Sequence, residues 1–197
     1  MSWPFEVDTA ENYAYWDGAF TREECVIIRE VAKRHSLAPA IVYNKDNIEV
    51  DNSIRISDVV FLNHENCPEL DWVYGRMSRI SIELNEKYFK FDLWGYAEGF
   101  QFTEYKSPGG KYDAHMDKTY MKPIRKLSTV LQLTDENEYE GGDLNVYLDG
   151  NPDNAIKLSR KQGTILAFPS YIMHSVSPVT SGTRYSFVGW ITGKQFR

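Results

Sequence analysis

The sequence predicts a mainly β fold: a double-stranded β-helix, or jelly-roll, core supported by two N-terminal helices. Three observations carry this. From Tyr96 onward, eight short strand-like runs follow one another, roughly at 97–106, 111–117, 126–134, 143–148, 155–158, 163–168, 172–178 and 184–192. Turn signals separate them: Pro108-Gly109-Gly110, Asp135 to Gly142, Asp149-Gly150-Asn151-Pro152 and Ser181-Gly182. Both helical patterns come earlier, so the helices are expected to lie against one outer face of a β-sandwich. Closely spaced short strands of this kind suit a jelly roll better than an open sheet.

The 197 residues fit one domain, 1–197, in which 1–95 supply an arm, helices and flanking strands and 96–197 the core. Hydrophobic residues make up 42% and charged residues 25%, as in ordinary globular proteins. The 13 tyrosines, with aromatics at 14%, agree with a β-rich fold. The net charge of −6 argues against nucleic-acid binding, which needs a basic footprint. No apolar run is long enough to span a membrane. Met1-Ser2-Trp3-Pro4-Phe5-Glu6 lacks the basic and apolar regions of a signal peptide. Cys25 and Cys67 give no disulfide framework. A cytoplasmic location is the expectation.

The N-terminal residues, rich in aromatics from Trp3 to Phe20, predict an arm and a first strand. Thr21-Arg22-Glu23-Glu24 has the form of a capping box. Ile27, Ile28, Val31 and Ala32 follow at helical spacing, giving a helix from 21 to about 35 with His35 at its end in a structural role. Ala40–Tyr43 predicts a short strand, Asn44 to Asn52 a polar mobile loop, and Ile54–Leu62 a longer strand in which Arg55 and Ser57 share a face. His64 falls in a loop. Pro68 opens a second helix, carried to about Tyr88 by Leu70, Val73, Met77, Ile80 and Leu84.

The chemistry centres on Tyr112–Lys118. In a strand, residues at i and i+2 share a face, so His115 and Asp117 project together while Met116 turns away. One imidazole and one carboxylate make two arms of a metal site, and the third should be a distant His. Of His35, His64 and His174, only His174 lies in a strand pattern, with Arg184 ten residues beyond it. Two His and one carboxylate leave positions open on the metal, the pattern of non-haem Fe(II) oxygenases. Charge arithmetic then points to a co-substrate. Fe(II) with one carboxylate and a chelating 2-oxo dicarboxylate leaves a far carboxylate unpaired in a partly dry pocket. That group needs a cation. Arg184 offers a planar charged fork, and Ser186, on the same strand face, a hydroxyl.

Several segments carry a family resemblance: Gln101–Tyr105, Gly110–Asp117, Leu127–Leu133, Tyr139–Leu144, His174–Val179 and Arg184–Ser186. Together the sequence resembles the 2-oxoglutarate- and Fe(II)-dependent dioxygenases. Within them it is similar to the prolyl 4-hydroxylase-like group, which includes the bacterial and phage PKHD-type hydroxylases. The match spans about residues 97–192, with a looser echo at Arg55-Ile56-Ser57. The resemblance implies that His115, Asp117 and His174 bind iron and that Arg184 binds the distal carboxylate of 2-oxoglutarate. It further implies that Tyr105 and Ser128 line the co-substrate pocket, and that Arg55, Tyr112 and Trp190 lie on the substrate side. The implied reaction consumes 2-oxoglutarate and O2, releases succinate and CO2, and hydroxylates a C–H bond, with ascorbate as an accessory cofactor. A peptidyl proline is the leading substrate, beside other protein side chains and free amino acids. The phage members of the group add a phage-encoded protein acting in a bacterial host as one reading. Two other functions compete: a non-catalytic or differently reactive cupin-like metal-binding jelly roll, and a carbohydrate-binding jelly roll. The first would not need Arg184 and Ser186 where they stand, and in the second the His and Asp would be incidental.

Overall fold

A computed structural model describes residues 10–44, 47–118, 123–149 and 151–194. The strands are β1 (Ala14–Trp16), β2 (Ala38–Pro39), β3 (Val42–Asn44), β4 (Asn47–Glu49), β5 (Arg55–Ile56), β6 (Asp58–Leu62), β7 (Leu93–Tyr96) and β8 (Phe100–Lys106). They continue with β9 (Lys111–His115), β10 (Arg125–Gln132), β11 (Tyr139–Gly141), β12 (Leu144–Tyr147), β13 (Ile156–Lys157), β14 (Ile165–Pro169), β15 (Met173–Val176) and β16 (Val179–Gly193). The helices are α1 (Arg22–Ala32) and α2 (Asp71–Leu84). A major antiparallel sheet runs β1-β14-β10-β16-β8-β6-β2, with β7 and β11 also paired to β16. A minor sheet runs β13-β12-β15-β9-β5. The two sheets and the helices against one of them form the predicted jelly-roll architecture.

The helices form for the reasons legible in their sequences. Thr21 Oγ1 accepts from the Glu24 backbone N–H at 3.2 Å, and Glu24 Oε2 accepts from the Thr21 N–H at 2.9 Å, completing the capping box. The buried face of α1 is Cys25, Ile28, Val31 and Ala32, while Ile27 turns outward. Helix α2 buries Val73, Met77, Ile80 and Leu84. It is entered through a 3₁₀ turn at Pro68–Leu70 and left through a π-helical turn at Asn85–Phe89.

Period-2 alternation divides the interior. On β10, Leu127 and Leu131 face the helices and join Phe100, Phe102, Phe187, Ile165 and Ile191 in one core. The alternate residue Val130 faces the minor sheet, packing with Tyr105, Leu144, Val146, Leu166, Phe168 and Val176 in a second core. The major sheet is therefore a wall with a core on each side.

The sequence-derived elements needed four adjustments. The run 54–62 is two strands: β5 pairs with β9 in the minor sheet, and β6 pairs with β8 in the major one. Ser57 marks the crossing, a corner where one segment serves both sheets. The stretch 44–52 is not a plain loop, because Asn47–Glu49 pairs back onto Val42–Asn44; Lys45 and Asp46 lie outside the described residues, as does the aromatic arm at Trp3 and Phe5. Strand β9 ends at His115, short of the expected residue 117. Strands β7 and β11, absent from the sequence reading, exist because β16 runs for 15 residues and offers partners at both ends, Ile191 to Tyr96 and Gly182 to Tyr139. Among the described residues no helix is long and apolar enough to cross a membrane.

Phe187 is fully buried, stacked on Phe100 at 5.3 Å between the major sheet and α2. Phe187→Ala should lower unfolding free energy by about 3–5 kcal/mol through lost burial and a residual cavity. Urea denaturation checks this, with a fall in midpoint and an unchanged slope as the expected result.

Candidate metal and co-substrate site

His115 ends β9 and His174 lies on β15, and the two are paired directly across the minor sheet. Asp117 follows two residues after His115, beyond the strand end. Met116 between them is exposed while Asp117 is buried, so the alternation expected of a strand persists past its hydrogen-bonded end. The three side chains converge, with one ligand atom from each lying within 4.8 Å of the others. His174 Nε2 is 3.4 Å from Asp117 Oδ2, and His115 Nε2 is 3.9 Å from Oδ1.

Both imidazoles are held the same way. His115 Nδ1 is 2.8 Å from the Asp113 carbonyl and His174 Nδ1 is 3.0 Å from the Ile172 carbonyl. A carbonyl only accepts, so each Nδ1 carries a proton, and in the neutral ring this tautomer leaves Nε2 as the lone-pair nitrogen facing Asp117. Tyr112 stacks on His115 with centroids 3.5 Å apart, closing one side of the ring. Burial pushes the His115 pKa down, and a charge on His174 would act in the same direction, which favours the neutral imidazole a metal needs. Burial would raise the pKa of Asp117. The facing histidines, the Trp190 indole and the Ser128 hydroxyl outweigh it and hold the carboxyl below its ordinary value. The donor set of two neutral imidazole nitrogens and one carboxylate fits Fe(II).

Ser128 is where expectation and structure differ. It does not line the cavity beside this cluster. Its hydroxyl donates to Asp117 Oδ2 at 2.7 Å and lies 2.9 Å from Ser170 Oγ. Ser128 faces the right side of β10 but stands opposite Trp190, at the metal end of the strand, which places it behind the carboxylate.

The cavity has a volume of about 220 Å³. His115, Asp117 and His174 line it, as do Arg184, Tyr105 and Ser186. Arg184 is 1% exposed, yet among the described residues no carboxylate lies within ion-pair distance of it. Its Nη2 donates to Gln132 Oε1 at 2.9 Å, its Nε has no partner, and Tyr105 lies 5.4 Å from the guanidinium. Gly142, at φ +64°, packs against the Arg184 stem, with Cδ 3.2 Å from where a Cβ would stand. A buried guanidinium with an orphaned N–H, opening on a cavity, fits a carboxylate-bearing co-substrate.

The comparisons with known proteins agree with this geometry. The profile described as the 2OG-Fe(II) oxygenase superfamily matches residues 100–192. That stretch is similar to the superfamily in sequence. Among curated relatives, the chain is similar to a PKHD-type hydroxylase of Synechococcus sp. strain CC9311, 43% identical over 93 residues, covering 47% of this chain and 40% of that protein. The chain thus spans under half the length of the curated relatives it matches first. Among solved structures, the fold is similar to a Pseudomonas putida prolyl-4-hydroxylase, with a TM-score of 0.72 at 20% identity, covering 93% of this chain and 94% of that one. It is also similar to a Trichoplax adhaerens prolyl hydroxylase in complex with a hypoxia inducible factor oxygen degradation domain peptide fragment, with a TM-score of 0.73 at 16% identity, covering 92% and 84%. At these identities the structural likeness shows the fold.

The far side of the cavity holds Arg55, Tyr112 and Trp190. Arg55 is buried on β5, its guanidinium 4.4 Å from the Tyr112 ring and its Nε donating to Ser57 at 2.8 Å. That places it in the wall, not on an exposed edge. The Trp190 indole faces Asp117 without a hydrogen bond of good geometry. Sequence reasoning assigned no role to Glu98, Arg125, Ile41 or Phe61, which also line the cavity. Arg125 makes a two-pronged ion pair with Glu98, both contacts 2.7 Å, and lies 3.7 Å above Trp190. No local motif announces that pair, since Glu98 and Arg125 are 27 residues apart.

Substituting His115, Asp117 or His174 by Ala should abolish tight binding of one divalent ion per chain while the thermal transition persists. Titration with Co(II), followed by its visible spectrum, reads this; a variant that still bound the ion tightly would leave the ligand set. Ser128→Ala should weaken the same affinity by about 10- to 100-fold, the usual effect of removing a group that orients a ligand.

Proposed function

We propose that this protein is a 2-oxoglutarate- and Fe(II)-dependent dioxygenase that hydroxylates a C–H bond, with a peptidyl proline as the leading substrate. One observation carries the reading: a two-histidine, one-carboxylate cluster and a buried, acid-free Arg184 open on the same cavity.

His115, Asp117 and His174 would hold the iron, and all three come from one wall of the cavity, which keeps the opposite side open. The bound iron supplies oxidative decarboxylation of the 2-oxo acid with O2 and delivery of one oxygen atom to the substrate. The protein's residues do the rest. Arg184 receives the distal carboxylate in its fork, with Tyr105 and Ser186 beside it. Val130, Leu144, Val176 and Val188 line the cavity with aliphatic surface and exclude water from the 2-oxo acid. Arg55, Tyr112 and Trp190 present the substrate side. Ile41 and Phe61 extend it outward as half-exposed apolar surface suited to an apolar ring or chain.

The proline assignment draws its support from the resemblance and from the named prolyl hydroxylases of the same fold. A cytoplasmic setting belongs to the same reading, and ascorbate enters as a reducing component of the assay. A non-catalytic metal-binding jelly roll would have no use for a buried cation opening on the metal cavity.

Incubation with Fe(II), 2-oxoglutarate, O2 and a panel of proline-containing peptides and free amino acids should yield succinate. One panel member should gain a single oxygen atom by mass. Absence of succinate with every member would overturn the enzyme reading; succinate with a non-proline product would overturn only the proline assignment. Arg184→Ala should weaken 2-oxoglutarate binding about 30- to several-thousand-fold, the usual result of removing one partner of a desolvated charge pair. Metal affinity should stay near wild type, and calorimetry on the metal-loaded protein measures both.

A further inference from the structure

The amide of Gln132 is fixed in one orientation by two contacts. Its Nε2 donates to the Ser159 carbonyl at 3.0 Å, and its Oε1 accepts from Arg184 Nη2 at 2.9 Å. A carbonyl cannot donate, so the nitrogen must face Ser159 and the oxygen must face the guanidinium. The backbone beneath is equally fixed: Gln132 N–H donates to the Thr164 carbonyl at 3.0 Å, and the Gln132 carbonyl accepts from Gly163 at 2.9 Å. Gln132 is 2% exposed and stands opposite Ser186 in the β10–β16 register.

A buried arginine ordinarily has a carboxylate for a partner, since an uncompensated charge in a dry site is costly. Here the partner has the length and shape of glutamate but no charge. One N–H of Arg184 is satisfied and aimed while its full positive charge is left for a ligand. We propose that Gln132 is the positioning and selectivity residue of this pocket: by holding Arg184 with a neutral acceptor, it reserves the site for 2-oxo acids that carry a second carboxylate. This rests on the co-substrate reading given above. A 2-oxo monoacid would leave the guanidinium buried and unpaired, and so would be rejected by the cost of that charge.

The test measures binding of 2-oxoglutarate and of 2-oxobutyrate, which lacks the distal carboxylate, to Mn(II)-loaded protein without O2. In Gln132→Glu the new carboxylate pairs with Arg184 in advance. Affinity for 2-oxoglutarate should fall at least about tenfold, as for competition within a buried charge pair, while 2-oxobutyrate binding holds or improves. Gln132→Met keeps the length but loses the acceptor. It should weaken 2-oxoglutarate by about two- to tenfold, the effect of one hydrogen bond, and keep the preference for the diacid. Equal losses for both ligands in Gln132→Glu would mean a merely structural role and overturn the proposal. So would 2-oxoglutarate binding at wild-type strength in either variant. Should Gln132→Glu fail to fold, Gln132→Met decides alone by the second criterion. Wild-type protein that bound no 2-oxoglutarate would instead overturn the co-substrate reading itself.

Discussion

The pairing of β10 with β16 is the constraint on which the rest of the structure depends. Its register sets Ser128 against Trp190, Val130 against Val188 and Gln132 against Ser186, all on the side that faces the minor sheet. The intervening pairs, Leu127 with Ile191, Thr129 with Gly189 and Leu131 with Phe187, face the helices. A slip of β10 by one residue would turn that strand over, putting Leu127 and Leu131 into the cavity and Ser128, Val130 and Gln132 against the helices. The apolar demands of the helix-side core therefore fix the polar arrangement on the other side. Gly189 belongs to the same constraint, since a Cβ there would run into the Phe100 and Tyr96 rings at 2.6 Å.

Charge in the cavity is divided rather than cancelled. One end collects a carboxylate and two imidazoles, of which His115 is pushed toward its neutral form by burial. The other end holds a guanidinium that donates to an amide and, among the described residues, faces no carboxylate. Neither end is electrostatically complete alone: the first asks for a cation and the second for an anion. A metal ion and a dicarboxylate supply both requirements together, so their binding should be mutually reinforcing.

Much of this was legible in the sequence, for identifiable reasons. The capping box at Thr21 and Glu24 is local chemistry, and local chemistry reads well. The ligands His115 and Asp117 follow from alternation, which outlasts the strand itself by two residues. Arg184 and Ser186 follow from the same period. Ser128 comes from the resemblance alone as a lining residue of the co-substrate pocket, and its bond to Asp117 depends on the β10–β16 register, which no local pattern shows. Gln132 carries no signal of its own, and its meaning comes only with Ser159 and Arg184 beside it. The break at Ser57 carried no glycine or proline to announce it. The ion pair of Glu98 and Arg125 joins two segments that only the tertiary fold brings together.

The two imidazoles share a detail with a wider consequence. Each is anchored by a carbonyl two residues earlier in its own chain segment, Asp113 for His115 and Ile172 for His174. The aim of each ring is thus encoded within a tripeptide and borrows little from distant parts of the molecule. The far side of the cavity is assembled differently: Tyr112 on β9 and Trp190 on β16 are joined by side chains from β5, β6, the segment before β8 and the start of β10. Of these Tyr112 touches a ring, stacked on His115, while Phe61, Glu98 and Arg125 stand on other elements. A scaffold built this way keeps the aim of the two rings local, and leaves the loops and strand ends around the rest of the cavity free to diverge.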